Sequence, residues 1–418
     1  MKVLILIILL ATTSFGGHKV LEKTLSNGIK VIVKHTEGKG ILSGVIFVRG
    51  GKLGEELPGT TSLLFTLLLK GTKSYPTSYD ISLPFEKYGG YIYSSSGDDF
   101  SEIGFSVKVE GFKEAMGVIR EILTEPLLRD EDIEREKKNT IVAIKSRRER
   151  GMELAMDNLR RITFKGTPYE THPAGTEESV GKILRSDLLK RFKDLIKGSN
   201  IVVSIAGDMD PSEVISSVSR ALGEIQKGRA VRKFRGRRIK KSRVVRVKRP
   251  GTQATILCAF NAPQRRTRDY FAFKVLTSIL GDGMTSKLFR ILREEKGYAY
   301  ATYSFYPTRL ISPRLFAYVG TSPQKKEKAL EDLLRVIKKP PISGDDLATA
   351  KSKIIGDFLL DHQTRMRQAW YMGFYEVMGF GWRMDLRYTK RIREVTLKDV
   401  KRAIKKYIDH HHCVVVEP

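Results

Sequence analysis

YIYSSSGDDFSEIGFSVKVEGFKEAMGVIREIL, residues 91–123, alternates polar and apolar residues through two short runs, turns at SGDD, and then takes up a helical spacing of apolar residues. That is the pattern of two antiparallel strands followed by an amphipathic helix. YAYATYSFYPTRLISPRLFAYVGTSPQKKEKALEDLLRVI, residues 298–337, has the same order. Each is followed by a proline-containing turn and a long charged helical pattern, at residues 126–150 and 340–365. Each half then closes on a short β-branched run, NIVVSIAGD at 200–208 and HHCVVVEP at 411–418. Corresponding points lie about half a chain apart, which marks an internal repeat. The repeat predicts two similar α+β domains, residues 18–225 and 245–418, joined by a linker at 226–244. Each is expected to be a mainly antiparallel β-sheet with helices packed on one face. A doubly wound parallel sheet would need a helix between every pair of strands, and that rhythm is absent.

The N-terminus departs from this pattern. MKVLILIILLATTSFGG, residues 1–17, has one positive charge, an unbroken apolar run and then small and polar residues. This layout predicts a signal peptide over residues 1–16 and an exported, periplasmic or secreted chain. The run is too short to span a bilayer, and no later segment qualifies, so no transmembrane segment is expected in the mature chain. Two cysteines, Cys258 and Cys413, cannot build a framework of bridges. They are read as two small buried apolar residues, with a single disulfide the alternative in an oxidising compartment.

Lysine and arginine total 75 against 47 acidic residues, a net charge of +28. The densest basic block, QKGRAVRKFRGRRIKKSRVVRVKRPG at 226–251, contains no acidic residue. No recognition motif accompanies it, so nucleic acid is not the expected partner; a solvated linker, or a surface for an acidic partner or membrane headgroups, is. The seven histidines include no pair at i, i+4 on a helix, and the triplet His410, His411, His412 would point to alternate faces of a strand. No GxSxG elbow occurs, and GDGMTS (281–286) lacks the lysine of a phosphate-binding loop.

The segments together resemble the insulinase and pitrilysin family of zinc peptidases, in its short two-domain branch with the mitochondrial processing peptidase subunits and the bc1 core proteins. The resemblance is carried by PGTTSLLFTLLLKGTKSYP (58–76), EKYGGYIYSSSGDDFSEIGFSV (86–107), THPAGTEESV (171–180), NIVVSIAGDMD (200–210) and GDGMTSKLFRILREEKGYAYATYS (281–304). Active members place an inverted HxxEH motif in the first of these, two zinc ligands with the glutamate between them as general base, and a third ligand on the later charged helix. Here Ser62, Phe65 and Thr66 occupy the HxxEH positions, and Val142, with Ala143 beside it, occupies the third. A benzyl group takes no proton and two hydroxyls do not hold zinc, so no metal and no catalytic residue is expected in this chain.

The second half keeps what the first has lost. The family's substrate-contacting Arg and Tyr, seven residues apart, correspond to Arg293 and Tyr300. The resemblance therefore implies a non-catalytic subunit of a heterodimeric zinc endopeptidase. It would supply Arg293 and Tyr300 to a homologous subunit that carries HxxEH and the zinc, acting on peptide substrates. The alternative is a non-enzymatic scaffold or peptide-binding subunit comparable to the bc1 core proteins.

Overall fold

The computed structural model describes residues 13–15, 18–231 and 234–418. The first half builds a seven-stranded sheet from β1 (Thr13–Phe15), β2 (His18–Thr24), β3 (Lys30–His35), β4 (Ile41–Arg49), β5 (Tyr91–Ser96), β6 (Phe100–Lys108) and β7 (Ile201–Gly207), in the order β1-β2-β3-β7-β4-β6-β5. Its helices are α1 (Thr60–Leu67), α2 (Ser78–Glu86), α3 (Phe112–Thr124), α4 (Asp130–Arg148), α5 (Gly151–Thr163), α6 (Glu177–Lys182), α7 (Arg185–Leu195) and α8 (Pro211–Leu222). The second half has β8 (Arg243–Lys248), β9 (Ala254–Asn261), β10 (Ala299–Phe305), β11 (Arg314–Thr321) and β12 (His411–Glu417), in the order β10-β11-β9-β12-β8. With them come α9 (Asp269–Gly281), α10 (Lys326–Lys338), α11 (Gly344–Asp361), α12 (Arg365–Val377), α13 (Met384–Arg393) and α14 (Leu397–Tyr407).

The repeat is visible element by element. The hairpin β5–β6 with α3 corresponds to β10–β11 with α10, and α4 with α5 to α11 with α12. In each sheet one pair is parallel, β3 with β7 and β8 with β12, and the others are antiparallel. The expected α+β class and the mainly antiparallel sheets therefore hold.

The central strands read as continuous apolar runs because both faces of each sheet are covered. All seven positions of β7 and all eight of β9 are buried. The first half's own helices cover one face of its sheet, in a core that includes Leu64, Phe65, Ile103, Phe105, Ile119 and Val203. The other face is covered by α12 of the second half, which brings Ala369 and Met372 against Val45, Phe47 and Val202. The exchange is reciprocal: α5 of the first half places Ala155 and Leu159 against Leu257, Ala259, Val414 and Val416 of the second sheet. Close approach needs small residues at the crossings. A Cβ on Gly373 of α12 would fall 2.3 Å from the Phe47 ring, and one on Gly151 of α5 would fall 2.8 Å from the Thr255 hydroxyl.

Three expectations fare differently. The leader expected at residues 1–16 lies outside the described residues except for Thr13–Phe15, which run antiparallel to β2. The basic segment is not a free linker. Asn261 clamps Ile239 at both its N–H and its carbonyl, at 2.8 and 3.0 Å, and the Arg314 guanidinium donates to the Arg237 carbonyl at 2.7 Å. Phe234 packs on the α5 cluster, and β8 begins at Arg243, before the expected boundary. Cys258 and Cys413 are bonded to one another. They oppose each other in register on β9 and β12, with Cα atoms 4.0 Å apart, a proximity that 155 residues of sequence separation conceals.

Candidate functional site

The helix α1 is held by the loops around it. The Glu55 carboxylate accepts from the N–H groups of Gly59 and Thr61, at 3.2 and 3.1 Å, and so satisfies donors that the start of a helix leaves open. Gly59 adopts φ of +100°, and a Cβ there would sit 2.8 Å from the Ala174 carbonyl oxygen. On the other side of this contact Gly175, at φ of +80°, approaches the Pro58 carbonyl, and the Ser179 hydroxyl donates to the same carbonyl at 2.7 Å. The glycines of PGTTS and THPAGTEESV thus interlock, because neither position leaves room for a side chain.

On α1 the three positions expected to correspond to HxxEH have separate fates. Phe65 is 1% exposed and belongs to the core of the first half. Ser62 is half-buried, and the exposed Thr66 turns its hydroxyl back to the Ser62 carbonyl at 3.1 Å. Val142 on α4 is 66% exposed, and Ala143 is exposed beside it. A back-bonded hydroxyl, a serine, an alkyl group and a buried phenyl ring do not fit zinc, which takes thiolate, imidazole or carboxylate ligands in tetrahedral array. Among the described residues no group of three His, Cys, Asp or Glu side chains is placed to hold a metal ion.

Arg293 and Tyr300 are brought together in the second half. Arg293 lies in a π-helical segment, Phe289–Glu295, with its guanidinium 5.0 Å from the Phe289 ring centre. It donates to the Tyr300 carbonyl at 2.7 Å. Tyr300 lies on β10, the edge strand of its sheet, and its side chain is 54% exposed. The guanidinium keeps further donors beyond the one used on the carbonyl, and both it and the Tyr300 side chain are exposed. A π-helical turn widens the helix and re-aims its side chains, a feature found at functional sites.

One cluster escaped sequence reading. The GDD turn between β5 and β6 buries Asp98 and Asp99, each 3% exposed, against the second half. Arg160 of α5 and Arg309 both engage Asp98, the latter at 2.7 Å. Asp99 accepts from the Tyr169 hydroxyl and, at 3.2 Å, from the Leu310 N–H. Burial would raise the Asp98 pKa, but Arg309 and Arg160 outweigh it and hold the carboxyl below its usual range. At Asp99 burial wins, and the carboxyl is pushed up despite Arg309. Nearby, burial lowers Lys52 to about 8. Burial, with Arg147 and Arg160 adding to it, lowers His172 to about 3. The His172 Nδ1 accepts the Ala174 N–H at 3.0 Å, which requires that nitrogen unprotonated. The acidic pair was legible as a turn; its partners come from α5, from Tyr169 in the segment after it and from the loop after β10, which only the folded chain brings together.

Comparison with known proteins places these features. The model of the insulinase family, peptidase family M16, matches residues 30–177, and that of the peptidase M16 inactive domain matches residues 182–353. An uncharacterized zinc protease of Bacillus subtilis is 23% identical over 347 residues, 81% of this chain and 83% of that protein. One of Mycobacterium bovis is 23% identical over 410 residues, 94% of this chain and 92% of that protein. Among solved structures, a peptidase M16 inactive domain from Pseudomonas fluorescens superposes with a TM-score of 0.89 at 18% identity, covering 96% of this chain and 98% of that one. A protease from Helicobacter pylori gives 0.89 at 17% identity, covering 96% and 99%.

Proposed function

Because the chain belongs to the insulinase family, peptidase family M16, and its described residues offer no donor set for zinc, we propose that it is the non-catalytic subunit of a heterodimeric zinc endopeptidase. The zinc and the general base would belong to a homologous partner that carries HxxEH. This chain would contribute Arg293 and Tyr300, whose guanidinium and phenol can hydrogen-bond a peptide carbonyl and support the oxyanion formed when water adds to it. The observation that carries the reading is the split inventory. Every ligand position is replaced on α1 and α4, while Arg293 and Tyr300 remain adjacent and exposed on the other half. The same proposal places the chain outside the cytoplasm: the leader layout at residues 1–16 and the Cys258–Cys413 bridge both suit an exported protein in an oxidising compartment.

The test is a pair reconstituted from this chain and its HxxEH-bearing homologue, assayed with a quenched peptide. Arg293→Ala and Tyr300→Phe, each in this chain only, should lower turnover by about 10²-fold, the scale of losing one oxyanion donor, while the two chains still co-elute. Unchanged turnover in both variants would leave the scaffold reading in its place.

A further inference from the structure

A cavity of about 720 Å³ opens between α9, α11, α12 and α13, and no residue of α1, nor Arg293 or Tyr300, lines it. Its walls are aromatic and fixed by contact with one another. Trp370 stacks on Phe374 at 4.7 Å, and Phe358 stacks on Tyr388 at 4.8 Å. Trp370 is also oriented by its indole N–H, which donates to Glu102 of β6 at 2.9 Å.

Two cations also line the cavity: Arg367 is paired with Asp361, whereas Lys274 has no carboxylate within ion-pair distance among the described residues. The Lys274 ammonium donates to the Tyr306 carbonyl at 2.9 Å and lies 5.4 and 5.1 Å from the ring centres of Tyr270 and Tyr306. The two acidic residues that line the cavity are already engaged. Asp361 is held by Arg367 and by the Tyr371 hydroxyl, each at 2.6 Å, and Asp357 by Lys353 at 2.9 Å. Burial lowers Lys274 to about 8, so it stays mostly protonated at neutral pH. An ammonium has three donors, and two remain for a ligand. Aromatic walls favour an apolar or aromatic group, and the unpaired cation favours an anion beside it.

We propose that this cavity binds a carboxylate carried next to an aromatic or bulky apolar group, as at the last residue of a peptide, with the Lys274 ammonium on the carboxylate. The proposal is testable on this chain alone.

Calorimetric titration of the full chain at pH 7 with N-acetylphenylalanine and with N-acetylphenylalaninamide compares ligands that differ only in the charged oxygen. The acid should bind about tenfold tighter or more, the scale of one charge-assisted hydrogen bond. Binding should also change the tryptophan emission, since one of the two tryptophans, Trp370, lines the cavity. Lys274→Met should abolish the acid's advantage while leaving the thermal midpoint within a few degrees. A pentapeptide ending in phenylalanine and its C-terminal amide separate the sources: tighter binding than the free acid assigns a peptide terminus, weaker binding a small aromatic acid. Equal affinity for acid and amide on the unaltered chain, binding of neither, or a Lys274→Met chain that keeps the preference would overturn the proposal. The first two outcomes need no variant.

Discussion

At position 65, where the resemblance implies the family's general base, the phenyl ring points into the core, 1% exposed. Changing Ser62, Phe65 and Thr66 to His, Glu and His would therefore insert a carboxylate into an apolar cluster. Denaturant unfolding should show a loss of about 3 kcal/mol or more, since a buried charge without a partner is among the costliest substitutions. The triple variant should still fail to retain zinc at one ion per chain, because Val142 and Ala143 offer no third ligand; stoichiometric zinc after dialysis would contradict the assignment. His172 gives a second residue-scale prediction. Its folded pKa of about 3 lies below the ~6.5 of an unfolded chain, so on acidification the unfolded state binds the proton first. Its contribution is therefore complete above about pH 6.5 and lost as pH falls toward 3. Between pH 7 and 5 it should cost at most about 2 kcal/mol of stability. His411, lowered to about 4 chiefly by burial, adds in the same direction. Unfolding midpoints for the unaltered chain and for His172→Asn should show a shallower acid limb in the variant; parallel limbs would exclude His172 as a source.

At the scale of elements, the strand–strand–helix units and the long charged helices were legible, because period-2 and period-3.6 patterns are local. The helix α1 was legible too, since PGTTS and LKGT frame it on both sides. What covers the far face of each sheet was not legible. An apolar stripe on α5 or α12 states that the helix is buried and leaves open against which sheet, and here each crosses to the other half. The cysteine pairing was hidden for the same reason, because β9 and β12 become neighbours only in the folded sheet. The bridge closes a long loop, so replacing both cysteines with alanine should lower stability by about 2–4 kcal/mol. Unfolding with and without reductant measures this. A chain whose midpoint ignores both the replacement and the reductant would show that the sheet is held without the bridge.

For the molecule as a whole, the two halves are joined by more than the segment between them. The exchanged helices and the buried cluster at Asp98, Asp99, Arg160 and Arg309 make one body of two similar parts. Arg309→Met would leave two buried carboxylates with one fewer cation, and breaking a buried pair in this way typically costs about 3–5 kcal/mol. Unfolding should become less cooperative between the halves, read as separated transitions of the two tryptophans and the far-ultraviolet signal. A single unchanged transition would show that the helices suffice. That rigidity bears on function, because a chain that presents Arg293 and Tyr300 to a partner has to hold them in a fixed frame. We propose that this chain completes the zinc site of a homologous partner. The most direct test is hydrolysis of a quenched peptide by this chain, by its HxxEH-bearing homologue, and by the two mixed at equal concentration. The account predicts no turnover from this chain and a rate for the mixture about 10²-fold above that of the homologue alone; a mixture no faster than the homologue would contradict it.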